Sequence, residues 1–291
     1  MRLPDFDYHE PGTLEEACRV MGDLGERARP IAGGTDLLVN MKKGKLSPPN
    51  VVSLGKVKEL RGISWSDDLL QVGACSTAAF VADSQEIASL FRAVGIAAGS
   101  LGSPLIRNLA TIGGNLVTAR PAADLPPALM ACHARVILKS DSGERRVSMD
   151  DFFLGPGLTV MKPDEILTRV LIERPPPCSG SSYIKLGKRR ALEISIVSVA
   201  AFVSLDETRS AIRSSGIVLG AVAPKPLRAR SAEELLAGEQ PCIPLFREAG
   251  EAAARDSMPI DDFRGSADYR RAMVAVLTER ALTEAVERAM Q

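Results

Sequence analysis

The 291-residue chain carries 36 Lys plus Arg against 36 Asp plus Glu, a formal net charge of zero. That balance leaves no electrostatic footprint for nucleic acid or an anionic membrane, and little self-repulsion to keep a lone chain soluble, which hints at protein partners. The length suits about two domains, the 14-residue uncharged stretch 93–106 is too short to span a membrane, and the opening residues 1–12 lack the apolar core of an export signal.

In chain order, Gly12 to Leu24 is predicted as a helix, with Thr13 and Glu16 placed as a capping box. Short strands are predicted at Arg29–Ala32, Val51–Leu54 and Leu69–Gly73, and helices at Thr77–Asp83 and Ile87–Ala98. Gly99 to Asn115 is glycine-rich and reads as loop. Leu125–Ala131 reads as a helix with Pro126 in its first turn, where the missing N–H costs little. Arg135–Lys139 and Glu144–Ser148 bracket Asp141-Ser142-Gly143 as a hairpin, and Ile166–Glu173 is a further strand. The run Pro175-Pro176-Pro177-Cys178-Ser179-Gly180 divides the chain near residue 176. Beyond it, strands are predicted at Ser182–Leu186, Ile194–Leu205 and Ser210–Ala221, followed by a helical tail from Ser231. Mixed helices and short strands make both halves α+β.

The five cysteines, Cys18, Cys75, Cys132, Cys178 and Cys242, are odd in number and widely separated, with no CxxC pair. That pattern argues against a disulfide framework or a cysteine-ligated cluster on this chain and for a reducing cytoplasm. His133, at a helix-to-strand joint, reads as structural.

Two glycine pairs stand out, Gly33-Gly34 and Gly113-Gly114, with Thr35, Thr111 and Asn115 beside them. Paired glycines permit positive φ and close backbone approach, and their successive N–H groups can form an anion nest. Two such loops about 80 residues apart suit the two charged groups of a diphosphate. Neither is G-x-G-x-x-G or a P-loop, and no lysine follows to meet a γ-phosphate.

The segments AGGTDLL at 32–38, LGSPLIRNLATIGGNLVTARPAADLPPALMA at 101–131, DEIL at 164–167 and YIKLGKRRALEISIVSVAA at 183–201 occur in this order. Together they resemble the FAD-binding medium subunit of the molybdenum hydroxylases, the family of carbon monoxide dehydrogenase and xanthine dehydrogenase. The resemblance covers nearly the whole chain. It implies a vanillyl-alcohol-oxidase or PCMH-type FAD-binding domain over 1–176, in two α+β subdomains of about 1–55 and 56–176. A small C-terminal α+β domain over 177–291 follows, with a three-stranded antiparallel sheet and helices.

By matching position, the resemblance implies that Pro30, Ile31, Ala32, Gly33, Gly34, Thr35, Asp36 and Leu37, with Thr111, Ile112, Gly113, Gly114 and Asn115, hold the diphosphate of a noncovalent FAD. Leu101 falls against the flavin, Asp124 falls where a carboxylate helps bind FAD, and Leu167 and Lys185 fall at further flavin contacts. Read without the resemblance, Asp124 is equally a helix N-cap, Lys185 an exposed strand lysine, and Leu101 and Leu167 core residues. Replacing Lys185 by alanine is expected to change flavin affinity or potential with the fold largely intact.

The function implied is electron transfer: no catalytic residue or metal on this chain, [2Fe–2S] clusters on a small partner, and molybdopterin on a large one. The assembly implied is a dimer of heterotrimers in the cytoplasm that passes electrons to NAD, oxygen or a quinone. A self-sufficient FAD oxidoreductase and a noncatalytic assembly module are the alternatives. Two features depart from the family pattern. The basic run Lys188-Arg189-Arg190 lacks the adjacent acidic pair, and Arg120 stands where a small or acidic residue is common.

Overall fold

The computed structural model describes residues 3–189 and 192–291. Five elements open the chain: β1 (Asp7–His9), α1 (Leu14–Leu24), β2 (Ala28–Ile31), α2 (Leu37–Lys42) and β3 (Asn50–Ser53). The three strands form a parallel sheet in the order β1-β3-β2. α1 starts at the predicted cap, with the Thr13 hydroxyl accepting the Glu16 N–H at 3.2 Å. The Glu16 carboxylate reaches one residue further back than a capping box requires, to the Gly12 N–H at 2.7 Å. Leu14, Ala17, Cys18 and Met21 recur at helical spacing and are buried against Val52, Leu54 and Leu60.

β4 (Ile63–Ser66) and β5 (Leu69–Gly73) begin a second sheet, after which the chain leaves for a run of short helices. These are α3 (Ala78–Ala82), α4 (Gln85–Leu90), α5 (Arg92–Gly99), α6 (Pro104–Arg107), α7 (Ile112–Val117) and α8 (Leu125–Ala131). The helix predicted over Ile87–Ala98 is therefore broken. The backbone at Phe91 leaves the helical region (φ −130°, ψ 51°), and its ring is buried in the largest core. The glycine-rich stretch predicted as loop also differs, because it holds α6 and the first turn of α7. Ser103 and Thr111 start these helices, each hydroxyl accepting the N–H three residues on.

The hairpin β6 (Arg135–Ser140) and β7 (Gly143–Ser148) leads to α9 (Met149–Phe152), to the small hairpin β8 (Phe153–Gly155) and β9 (Leu158–Thr159), and to β10 (Ile166–Glu173). β10 is inserted between β5 and β6, giving an antiparallel sheet in the order β4-β5-β10-β6-β7.

The third sheet contains β11 (Ser179–Leu186), β12 (Val197–Leu205) and β13 (Ile212–Gly220), all antiparallel. A two-residue strand, β14 (Leu227–Arg228), adds a fourth member to the three expected, pairing with β13 through Leu227 and Arg228. The helices α10 (Arg230–Leu236), α11 (Ile243–Asp256) and α12 (Ala267–Ala289) complete the chain. All nine positions of β12 are buried, and the two-residue period sorts its sides. Ala200 and Phe202 join the core of the preceding sheet and helices, while Val197, Val199, Ala201, Val203 and Leu205 join a second core with α11 and α12. β11 alternates the same way: Tyr183 faces the first core, and Ile184 and Leu186 pack on the second. Arg270 of α12 is fully buried and donates to the carbonyls of Ile196 and Ala221 and to Asp262, pinning the strand ends to the segment before α12.

His133 adopts a left-handed backbone (φ 54°) where α8 turns into β6, and its ring stands edge-on to Phe202 at 6.2 Å. The residue is exposed overall, but partial desolvation of its ring against the fold, reinforced by the nearby Arg228, holds its pKa below the ordinary 6.5. The fold thus prefers the neutral ring: this contribution is complete above the unfolded value and is lost as pH falls through the lowered one. The melting temperature is expected to fall from about pH 7 to about pH 5.5 more steeply in the wild type than in His133→Asn. Asparagine keeps the tolerance for left-handed backbone without the titration. Equal slopes in a thermal melt series would refute this role.

Candidate functional site

A cavity of about 1150 Å³ lies between the two glycine segments. Its wall comes from four stretches: residues between Met21 and Leu46 around the turn between β2 and α2, the segment from Leu101 to Asp124, residues between Gly157 and Glu165, and the loop containing Leu192, Glu193 and Ile194. Drug-sized ligands occupy pockets of about 300–1000 Å³, so the space suits a larger, dinucleotide-sized molecule.

The first glycine pair meets two separate demands. A side chain on Gly33 would put its Cβ 1.9 Å from the Leu109 carbonyl oxygen, because the turn lies directly against the backbone of Leu109 and Ala110. Gly34 has φ +70°, a conformation glycine adopts without strain. Among the described residues, no acceptor takes the backbone N–H of Gly33, Gly34, Thr35 or Asp36. Four consecutive donors therefore edge the cavity as an anion nest.

The second pair is not a matching nest. Gly113 and Gly114 belong to α7, and the surrounding amides are already used. The N–H of Ile112 donates to Ser76 O, that of Gly113 to Ala74 O, that of Gly114 to Thr111 Oγ1, and that of Asn115 to Thr111 O. Gly113 is small because its Cβ would fall 2.7 Å from the Cβ of Ala74. This segment offers side chains instead: Thr111 and Asn115 line the cavity, and Asn115 Oδ1 is buried with no hydrogen-bond partner.

Asp124 stands at the N-cap position of α8, yet its side chain caps nothing. Its Oδ1 accepts from the Tyr183 hydroxyl at 2.8 Å and from the Ser195 hydroxyl at 3.2 Å, and its Oδ2 from Lys185 Nζ at 2.9 Å. Lys185 also donates to Ser100 O at the C-terminus of α5, where a cation is favoured. Burial pushes the Asp124 carboxyl above the usual range, and Lys185, Tyr183 and Ser195 pull it back. Lys185 is thus a buried ion-pair partner at 13% side-chain exposure, against the exposed strand lysine of the local reading. Its replacement cannot leave the fold untouched.

The structure brings together at the cavity wall Pro30, Ile31, Ala32, Gly33, Gly34, Thr35, Asp36, Leu37, Leu101, Thr111, Gly114, Asn115 and Asp124. Ile112, Gly113, Leu167 and Lys185 are not part of that wall. Ile112 is buried in the core, and Leu167 is buried at the bulge where β10 skips a residue against β6. Lys185 meets the wall through Asp124.

Local reading missed several residues. Tyr183 had a signal, since it lies two residues before Lys185 on one strand and shares its face. Ser195 had none, nor had the bidentate pair in which Arg145 donates to Glu165 at 2.6 and 2.8 Å. Burial raises the Glu165 carboxyl, but Arg145 and the Lys162 N–H outweigh it and hold the group below its usual range, bracing the cavity edge. In the basic loop, Lys188 donates to Phe263 O and Arg189 pairs with Glu193 at 2.8 Å. Arg190 lies outside the described residues.

Among the described residues, no group of His, Cys, Asp and Glu could hold a metal ion, and no helix is long and apolar enough to cross a membrane. The five cysteines are free thiols. Burial pushes Cys75 up to about 11 and Cys132 to about 12, so neither presents a reactive thiolate.

The sequence profile described as the FAD binding domain in molybdopterin dehydrogenase matches residues 4–175. That of the CO dehydrogenase flavoprotein C-terminal domain matches 182–285. The chain belongs to the FAD-binding medium subunits of the molybdenum hydroxylases. It is 36% identical over 258 residues to the nicotinate dehydrogenase FAD-subunit of Eubacterium barkeri, covering 86% of this chain and 84% of that one. It is 30% identical over 282 residues to the carbon monoxide dehydrogenase medium chain of Hydrogenophaga pseudoflava, covering 97% of each. A solved carbon monoxide dehydrogenase from Hydrogenophaga pseudoflava superposes with a TM-score of 0.94 at 30% identity, covering 99% of each chain. Members of this family are FAD subunits of oxidoreductase complexes.

The residues of the cavity fit that cofactor. Four unclaimed N–H groups suit a diphosphate, and the orphaned Asn115 Oδ1 suits a hydroxyl or ring N–H. Leu101 and Ile106 supply apolar wall for a ring system.

Proposed function

We propose that this chain holds one noncovalent FAD in the cavity, with the diphosphate on the N–H groups of Gly33 to Asp36. Thr111 and Asn115 hydrogen-bond its polar groups, and Leu101 packs against the ring. The observation that carries the reading is the row of four unclaimed amides on the wall of a dinucleotide-sized cavity. When bound, FAD supplies the electron-transfer chemistry, and this chain's residues bind it and set its surroundings.

Within that reading, the chain works beside a small subunit with [2Fe–2S] clusters and a large molybdopterin subunit, in a dimer of heterotrimers. Electrons reach the flavin from the clusters and leave to NAD, oxygen or a quinone. The FAD-binding domain ends near residue 176, and the remainder forms the C-terminal domain. Five unpaired thiols suit a reducing cytoplasm.

Two measurements test this. Apoprotein mixed with FAD is expected to bind one equivalent and quench its fluorescence. Affinity purification of the chain from its host is expected to return flavin, iron and molybdenum in one complex. Turnover of a small substrate by the isolated chain would favour a self-sufficient oxidoreductase, and no FAD uptake at all would favour an assembly module.

A further inference from the structure

The nest at Gly33 to Asp36 offers neutral donors, and residues 30–37 contain no lysine or arginine. They do contain an acid, Asp36, whose carboxylate belongs to the same residue as the last N–H of the nest. Left alone, that carboxylate would repel a diphosphate. Arg120 meets it, with Nη2 2.5 Å from Asp36 Oδ1.

The backbone sets Arg120 there. At the end of α7, Ala119 takes a left-handed conformation (φ 47°) that side chains rarely adopt. It is buried, and its carbonyl accepts the Gly157 N–H at 2.9 Å. This turn brings Arg120 to the cavity wall, 54% exposed at its side chain. A guanidinium has five N–H groups, so an ion pair with Asp36 leaves donors to spare. The other wall cations are placed differently. Arg29 donates to the carbonyls of Glu26 and Ala28, and Lys45 and Lys162 stand on other stretches of the wall.

We propose that Arg120 is a cofactor-binding residue of this cavity: it neutralises Asp36 and turns its remaining N–H groups to the diphosphate. The inference rests on the flavin reading above.

The test is titration of the full-length apoprotein with FAD at two salt concentrations. Arg120→Gln is expected to weaken FAD binding roughly tenfold to a hundredfold, the range of a lost hydrogen bond to a charged group. Relative to the wild type its affinity should rise with salt, because the uncovered Asp36 carboxylate repels the diphosphate and salt screens that repulsion. Arg120→Lys should lose less, and Asp36→Asn added to Arg120→Gln should recover part of the loss. Wild-type affinity in Arg120→Gln, an unchanged salt dependence, or no recovery in the double variant would overturn the assignment. Wild-type protein that takes up no FAD would instead overturn the flavin reading, and this inference with it.

Discussion

Gly33→Ala is expected to cost the chain its cofactor. The added Cβ would sit 1.9 Å from Leu109 O and 2.7 Å from Leu109 C, contacts no side chain can have. Both obstacles are backbone, so the turn itself has to move off the Leu109–Ala110 segment. That motion drags the four-amide nest away from Thr111 and Asn115 on the facing wall. Hydrogen bonds to a charged acceptor are worth about 1.5–3 kcal/mol each, so losing two weakens FAD roughly a hundredfold or more. The strain itself costs on the order of 1–3 kcal/mol of stability. Gly22 on α1 is the control, because an added Cβ there meets nothing within 4 Å. Fluorescence titration of both variants, with far-ultraviolet circular dichroism, checks the expectation. A Gly33→Ala protein that binds FAD like the wild type would remove the nest from the site.

Lys185→Met is expected to destabilise the fold itself. The substitution keeps most of the side-chain length and deletes the charge, leaving the Asp124 carboxylate at 8% exposure without its cation. Breaking a buried pair from one side costs about 3–5 kcal/mol. The Ser100 carbonyl loses a donor as well. Adding Asp124→Asn to the variant removes the stranded charge, so the double variant should be less destabilised than the two single effects summed.

The pH dependence has a definite sign. Burial raises the Asp124 carboxyl and Lys185 is the largest influence lowering it, so the variant's carboxyl titrates higher still. A raised folded-state pKa favours the fold at low pH and loses that advantage as pH rises through it. The variant's deficit against wild type should therefore be smaller in mild acid than at neutral pH. Denaturant melts at the two pH values decide it. A variant as stable as wild type at neutral pH would return Lys185 to the role of a surface lysine.

Much of the fold was legible because its signals are local. Thr13 caps α1 through its own hydroxyl, the Leu69–Gly73 and Ile166–Glu173 strands fall where predicted, and Pro126 sits in the first turn of α8. The misses are also physical. Phe91 breaks a helix because its ring is drawn into the core, and the Gly113-Gly114 pair looks like a loop but starts a helix capped by Thr111. Glycine in a first helical turn leaves the same trace in sequence as glycine in a nest.

The sequence by itself singled out the glycine segments proposed to hold the cofactor, and the family resemblance set the cofactor class. Glycine pairs, caps and strand alternation act over a few residues and are written in their spacing. Only the tertiary structure decided which charges meet. Lys185 and Asp124 are 61 residues apart, and Tyr183 and Asp124 are 59 apart. Their contact depends on β11 packing beside α5 so that Tyr183 and Lys185 reach Asp124 ahead of α8, which no local pattern encodes. The same holds for Arg120 and Asp36, joined across the cavity by a left-handed turn at a residue that is not glycine. Likewise, only the assembled backbone determines that the first glycine pair keeps its amides for a ligand while the second spends them on Ser76, Ala74 and Thr111.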